Sequence, residues 1–376
     1  MIKNNLLMYK ITSSWIKSVD VLNLFLIMLV ALLGLLFVTT ASPSIAKLKG
    51  LEEFYFIKKH GIFMILSLTA ILVISLFSSK LILYMSFLGA GICYTLLLTG
   101  LFQNTINNGA TRWVSIMGYS MQPSELLKPF FVVVLAYLIS KKNKIGIFSF
   151  YIDGKILAFS TLLITSLILI KQPNFSMVAI LFFVFLSQFF ISGISIKLAL
   201  FTFFTVIVIS LFSYFSLDHV KNRILDYIFS DKPNYQVEKS IQAFKAGGFL
   251  GNGPGEGIVK KNIPDAHTDF IFPVIAEEYG ALSCLLIVVI IFIIFFRGLY
   301  RTSKIDNMFG LITSSGLLIL FLIQSLVNIS VSLKLIPTTG VTLPLISYGG
   351  SSLLSTGILL GMILALTRRR FGKKLS

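Results

Sequence analysis

The sequence predicts an all-α polytopic membrane protein of about ten transmembrane helices, with one large outer loop between spans 7 and 8. Three observations carry this. Of 376 residues, 56% are hydrophobic and only 12% are charged, against about 25% charged in an ordinary soluble domain. The mean hydropathy is +0.91. Apolar runs close to 20 residues recur along the chain, the length that crosses a hydrocarbon core of roughly 30 Å.

Residues 1–20 form a short basic tail with Lys3, Lys10 and Lys17. The apolar run from Val21 to Thr40 is longer than the roughly 7–15 residues of a signal-peptide core and opens a multi-span chain, so it reads as an uncleaved first span. Spans are expected at 21–42, 61–79, 81–101, 124–140, 156–170, 175–192, 197–217, 272–296, 308–333 and 350–367. The membrane domain is therefore 21–367, with outer loops at about 102–123, 218–271 and 334–349, and a basic tail at 368–376. An even number of spans puts both termini on one side.

Charge placement selects the side. With the N-terminus inside, the inner segments hold 17 of the 32 Lys and Arg against three acids (Asp20, Asp153 and Asp306), a balance of +14, and the outer segments balance at +3. Positive charge favours the cytoplasmic side, so both termini are expected in the cytoplasm of a bacterial inner membrane. Lys47, Lys49, Lys58 and Lys59 in the first outer loop run against that bias. Charge hugging the inner leaflet is drawn to anionic membrane lipid. Nucleic acid is excluded as a partner, because no soluble segment offers a contiguous basic face with interleaved aromatics. Cys93 and Cys284 lie in apolar runs. They read as buried small apolar residues, and with three scattered His they make no metal-ligand spacing.

Acids concentrate in the outer loops, and the loop at 218–271 is about 54 residues long, whereas structureless loops beyond about 12–15 residues are uncommon and usually functional. The chemistry is expected to face outward. The loop at 102–123 carries Gly109-Ala110-Thr111-Arg112-Trp113 and then Gln122-Pro123-Ser124-Glu125, with Lys128 a turn further on. Trp113 and Arg112 also suit an interfacial belt and headgroup contact, and Ser124 and Glu125 suit a helix start. Lys128 needs a partner if buried; Glu125, three residues back, is one candidate.

The long loop contains Gly247-Gly248-Phe249-Leu250-Gly251-Asn252-Gly253-Pro254-Gly255-Glu256-Gly257, six glycines in eleven residues. Such backbone can approach a ligand closely, and amides such as those of Gly251 and Gly253 can cradle a pyrophosphate as a nest. A flexible loop has the same composition. No Gly-Lys-Ser/Thr follows, so it is not a P-loop.

Next comes Pro264-Asp265-Ala266-His267-Thr268-Asp269-Phe270-Ile271-Phe272-Pro273. Ionisable groups at a bilayer edge are costly, and by default they mark function. Pro273 suits the first turn of a helix, which sets Asp269 just ahead of a membrane span. Glu277 lies about 12 Å further along that helix, so the two are no close carboxylate pair and a single base is the better picture. Asp265 or Asp269 could equally cap the helix. The last outer loop, from Pro337 to Ser352, is dense in Pro and Gly and reads as a broken or re-entrant segment lining a cavity. Gln324 and Asn328 suit helix–helix glue, and Gly357 and Gly361 form a small-xxx-small packing pair.

Together, in this order, these motifs resemble the SEDS family (shape, elongation, division and sporulation). The matching pieces are Gly109 to Trp113, Gln122 to Glu125, the glycine-rich loop, His267-Thr268-Asp269-Phe270-Ile271-Phe272 with Glu277-Glu278, and Leu343-Pro344-Leu345-Ile346-Ser347-Tyr348-Gly349-Gly350-Ser351-Ser352. The resemblance implies a ten-span peptidoglycan glycosyltransferase that polymerises lipid II on the outer face of the inner membrane. It also implies a class B penicillin-binding protein, a transpeptidase, as partner. Pro264 to His267 and Ile346 to Ser352 look more like the family's division branch than its elongation branch, so septal wall synthesis with other division proteins is expected.

The family's essential aspartate falls on Asp269, the expected catalytic residue. Expected substrate contacts are Arg112, Trp113, Glu125, Lys128, Gly251, Gly253, His267, Thr268, Glu277, Ser347 and Tyr348. One departure is Gln172-Pro173-Asn174, where the family usually has Gln-Pro-Asp. Asp269 would act as general base; at an ordinary pKa near 3.9 it would take the proton late. Arg112, Lys128 and the glycine-rich backbone would stabilise the departing pyrophosphate. No cofactor is assigned, although a divalent cation, Mg or Mn, suits a pyrophosphate. A lipid II flippase also fits charged residues and broken helices near a membrane, but the polar chemistry clusters on one face. An elongation polymerase and a non-catalytic scaffold for the penicillin-binding partner are further alternatives.

Overall fold

The computed structural model describes residues 15–102, 113–116, 119–141, 145–147, 150–193 and 235–369, with isolated positions between 200 and 225. The expected span at 197–217 and Arg112 lie outside the described residues. The helices are α1 (Val21–Leu48), α2 (Tyr55–Ser75), α3 (Ser79–Phe102), α4 (Pro123–Ser140), α5 (Gly154–Lys171), α6 (Phe175–Ile191), α7 (Tyr235–Gly247), α8 (Ile271–Thr302), α9 (Met308–Ser332) and α10 (Gly350–Leu366). All but α7 fall on expected spans. Among the described residues, seven helices are long and apolar enough to cross a membrane, and α6 and α10 are shorter apolar helices. The chain is a multi-pass membrane protein.

Three boundaries move by six residues, one of them the end of α8, which runs to Thr302 rather than 296. Helix α1 continues past Pro43 and stops only before Gly50, whose φ of 66° suits a chain reversal. Helix α2 starts at Tyr55 rather than near 61 and so includes Lys58, Lys59 and His60. The long lysine stems carry their charges outward: Lys58 reaches Glu52 at 3.0 Å and Lys59 leans over the Tyr55 ring at 4.5 Å. Two short antiparallel hairpins add strands to an otherwise helical chain. They pair β1 (Val114–Ile116) with β2 (Tyr119–Met121), and β3 (Ile145–Ile147) with β4 (Phe150–Ile152).

Helix α4 is the centre of the bundle, with 13 of its 18 residues buried, and it packs against α3, α5, α6, α9 and α10. Gln188 of α6 ties this centre together, donating to the Val132 carbonyl of α4 at 3.0 Å and the Ile312 carbonyl of α9 at 3.4 Å. A side-chain amide has few other partners among apolar helices. Gly357 and Gly361 let α10 lie against the α2 backbone at Ser67, Ala70 and Ile71. The segment before α10 is buried, non-helical chain from Leu343 to Ser347. It reaches down to α1, where Gly34 leaves room for the backbone of Leu345 and Ile346. Irregular backbone at this depth is tolerated because protein surrounds it.

Candidate active site

The site is organised by a break in α8. Gly280 sits at φ 80° and ψ 172°, so the helix is two helices joined by a bend. The stretch after Gly280 is about 33 Å long at 1.5 Å per residue and crosses a bilayer unaided. The part before it, Ile271 to Tyr279, is a separate half-helix buried along almost its whole length.

Breaking a helix strands its backbone groups, and the glycine-rich loop takes them up. Asn252 and Gly253 donate their amides to the carbonyls of Glu277 (2.9 Å) and Glu278 (3.0 Å). In return, the amides of Ala281 and Leu282 donate to Gly248 (2.9 Å) and Phe249 (3.3 Å). Gly251, at φ 83°, lies directly on the Glu278 backbone, where no Cβ fits. Gly247 and Gly251 are there because two backbones touch. The two glutamates complete the splice. Glu277 accepts from the amides of Val259 (2.7 Å) and Lys260 (2.8 Å), while Glu278 accepts from Gly255 (3.1 Å) and from the Lys260 ammonium. That ammonium also donates to the Thr40 carbonyl of α1 at 2.9 Å. The amides of Gly251 and Gly253, expected to cradle a pyrophosphate, and the carboxylate of Glu277 are therefore engaged within the protein.

Asp269 stands at the other end of the half-helix, and its backbone is fixed from behind. Asn328 of α9 donates to the carbonyls of Asp269 (2.8 Å) and Val341 (2.7 Å). Ser347 donates to the Thr268 carbonyl at 2.6 Å, and the Tyr348 amide donates to the His267 carbonyl at 2.9 Å. The His267 ring is buried between Phe56 and Tyr348, with centroids 4.4 and 5.2 Å away. Burial, with Lys49 and His60 nearby, pushes His267 down to about 4, so it is neutral at pH 7. Burial likewise pushes Tyr348 up to about 12.

The Asp269 carboxylate is left open. No described residue donates to it, and neither Asp265 nor Asp269 caps α8, whose N-cap is Phe270. Desolvation, then the charges of Asp265 and Glu125, pushes its carboxyl up to about 7. The ordinary acidity expected from sequence is replaced by that of a base poised near neutral pH. Glu125, whose charge acts on Asp269, is paired with the buried Lys128 at 2.7 Å and held through its carbonyl by Ser355 at 2.6 Å. Asn174, at the departure from the family pattern, is buried and donates to Ser124 at 3.5 Å.

Comparison with known proteins follows the same lines. The family model of cell cycle proteins that groups FtsW, RodA and SpoVE matches residues 20–371. The chain belongs to this family. It is 34% identical to the probable peptidoglycan glycosyltransferase FtsW of Caulobacter vibrioides, covering 92% of this chain and 88% of that protein. Against the protein of the same name from Geobacter metallireducens it is 32% identical, covering 97% and 98%. Among solved structures, a chain of a peptidoglycan synthase complex superposes with a TM-score of 0.74 at 21% identity, covering 93% of this chain and 97% of that one. The rod shape determining protein RodA of Thermus thermophilus superposes at 0.67 and 21% identity, covering 93% and 96%. At that identity the likeness is one of fold.

In this FtsW/RodA/SpoVE chain, Ser347 and Tyr348 thus hold the backbone of Thr268 and His267 beside Asp269, and the Glu125–Lys128 pair lies close enough for the Glu125 charge to act on Asp269. Trp113 stands exposed beside the first hairpin. Gly251, Gly253 and Glu277 sit at the helix break instead. Sequence reasoning gave Asn328 only a gluing role, although an amide in an apolar helix was the available signal. Lys260 gave no signal, because its two carboxylate neighbours lie 17 and 18 residues away in sequence. Among the described residues, no three His, Cys, Asp or Glu are grouped to hold a metal ion, so no residue is assigned to a cation.

Proposed function

We propose that this chain is a peptidoglycan glycosyltransferase that polymerises lipid II into glycan strands at the outer face of the inner membrane. Its termini are cytoplasmic, and it works at the division septum with a class B penicillin-binding protein. The observation that carries this reading is Asp269: a half-buried carboxylate with a fixed backbone and no donor among the described residues, raised to about 7, just ahead of α8. The names of the Caulobacter and Geobacter relatives support the substrate class.

In this mechanism the 4-hydroxyl oxygen of the acceptor GlcNAc attacks the donor's anomeric carbon. Its proton passes to an oxygen of Asp269. The bond from that carbon to the pyrophosphate oxygen breaks, and the lipid pyrophosphate leaves with the electron pair. A positioned base of this kind contributes about 10²–10⁴-fold in rate. Lys128 is already balanced by Glu125, so Arg112 is the cation assigned to the departing pyrophosphate, with Trp113 beside it at the membrane surface.

The test is polymerisation of labelled lipid II by purified protein, alone and with its penicillin-binding partner, for wild type and Asp269→Asn. Product from the wild type and none from a folded variant is the expected result. Equal product from both removes Asp269 from the mechanism. Absence of product, with lipid II crossing liposome bilayers, points to a flippase. Intact wall synthesis in cells carrying only Asp269→Asn points to a scaffold.

A further inference from the structure

We propose that a cavity at the end of the bundle opposite Asp269 binds the phosphate headgroup of an anionic glycerophospholipid. The cavity has a volume of about 300 Å³ and lies where α3 begins, α4 ends and α9 begins. That volume is at the lower end of small-molecule sites.

Its chemistry is split in two. Lys80 and Lys141 stand on its wall, and among the described residues neither is paired with a carboxylate. Lys141 is held with its ammonium 4.9 Å from the centre of the Tyr137 ring, a contact that leaves its charge available to an anion. No acid lines the cavity; Asp306, next to the lining residue Asn307, is exposed to solvent. The N-termini of α3 and α9 add the positive ends of two helix dipoles.

The rest of the wall is Ser79, Ser140 and Asn307 together with Leu83, Tyr137 and Phe309. Tyr137 meets Phe309 edge-on at 6.3 Å and Phe87 at 5.6 Å. Phe87 is partly exposed on α3 beside the outward-facing Tyr84 and Leu88. This aromatic row leads from the two lysines to the lipid-facing surface. A free phosphate would use only the lysines, whereas a phospholipid also fills the aromatic floor with its first acyl segment. Basic pockets between membrane helices on the cytoplasmic side suit anionic headgroups on general grounds. The cytoplasmic assignment of this end rests on the proposed orientation, but binding in detergent does not.

The experiment is native mass spectrometry of the full chain in detergent, titrated separately with phosphatidylglycerol, phosphatidylcholine of the same chains, and inorganic phosphate. Three proteins are compared: wild type, the double variant Lys80→Gln/Lys141→Gln, and the control Lys155→Gln/Lys304→Gln from the same end of the bundle. All four lysines are at least partly exposed, so folding is retained. Each lysine near a lipid phosphate is worth about fivefold. The cavity variant should therefore lose roughly 30-fold in phosphatidylglycerol affinity, while the control changes less than threefold and phosphatidylcholine binds weakly to all. An equal loss in the control, or equal binding of the two lipids, overturns the site. Displacement of phosphatidylglycerol by equimolar inorganic phosphate overturns the lipid assignment.

Discussion

Asp269 and the pair Glu277–Glu278 sit at the two ends of one buried half-helix and are used in opposite ways. Both glutamates are fully buried, and hydrogen bonds from backbone amides or a lysine hold them in place. The Asp269 side chain is partly exposed, and its carboxylate accepts nothing from the described residues. Buried charge is tolerable when it has compensating partners: two amides hold Glu277, and an amide and the Lys260 ammonium hold one oxygen of Glu278, whose Oε2 has no partner among the described residues. A carboxylate with a fixed backbone and no partner for its oxygens has a raised proton affinity, and perturbed groups of this kind cluster at functional sites. The difference separates groups that hold the fold from the one proposed to react.

The largest effect expected from this contrast is kinetic. Asp269→Asn keeps the volume and the Asn328 contact to its carbonyl. It should lower glycan polymerisation by about 10²–10⁴-fold without loss of folded protein. A loss of activity matched by a loss of folded protein would place Asp269 with the glutamates instead.

Next in size is the effect of breaking the buried pair. Lys260→Met leaves Glu278 without its cation and the Thr40 carbonyl without its donor, and should cost about 3–5 kcal/mol, read as a drop in melting temperature. Lys260→Met with Glu278→Leu should recover much of that loss, because no lone charge remains. Equal destabilisation in single and double variants would show that the hydrogen bonds to Thr40 and Gly255, rather than the charge, hold the splice. A smaller loss, about 1–3 kcal/mol, is expected for Gly280→Ala, which forces an L side chain to φ 80° against the Phe249 carbonyl.

The same contrast explains what the sequence could reveal. Span positions were legible because bilayer thickness fixes the length of an apolar run, and Asp269 was legible because a charge at a membrane edge needs a reason. The re-entrant segment near Leu345 showed itself through Pro and Gly. The helix break did not. Gly280 lies inside an apolar run that reads as continuous, and the groups that repair the break come from residues 247–260, whose proximity is a tertiary fact. The glycine-rich loop was therefore read by composition as either a ligand cradle or a flexible loop, whereas Gly247 and Gly251 lie against the backbone of α8. The raised proton affinity of Asp269 was equally hidden, since it depends on burial and on Glu125 arriving from a distant helix.

The pH dependence tests the contrast most directly. The folded carboxyl of Asp269 lies at about 7, above its value of 3.8 in the unfolded chain. Between those two values the unfolded chain loses the proton while the folded protein keeps it, so rising pH favours unfolding across that window and leaves a constant penalty above it. Asp269→Asn lacks this penalty. Relative to the variant, wild type should be least stable near pH 8, and the gap in melting temperature should close as pH falls towards about 4. Activity should run the other way, rising through pH 7 as the base ionises. Glu277→Gln should leave that activity profile in place, because its carboxylate is held by amides away from the reacting groups. A polymerisation rate that is flat from pH 6 to 8, in a wild type whose stability gap to Asp269→Asn still closes on acidification, would separate the titrating group from the catalytic one.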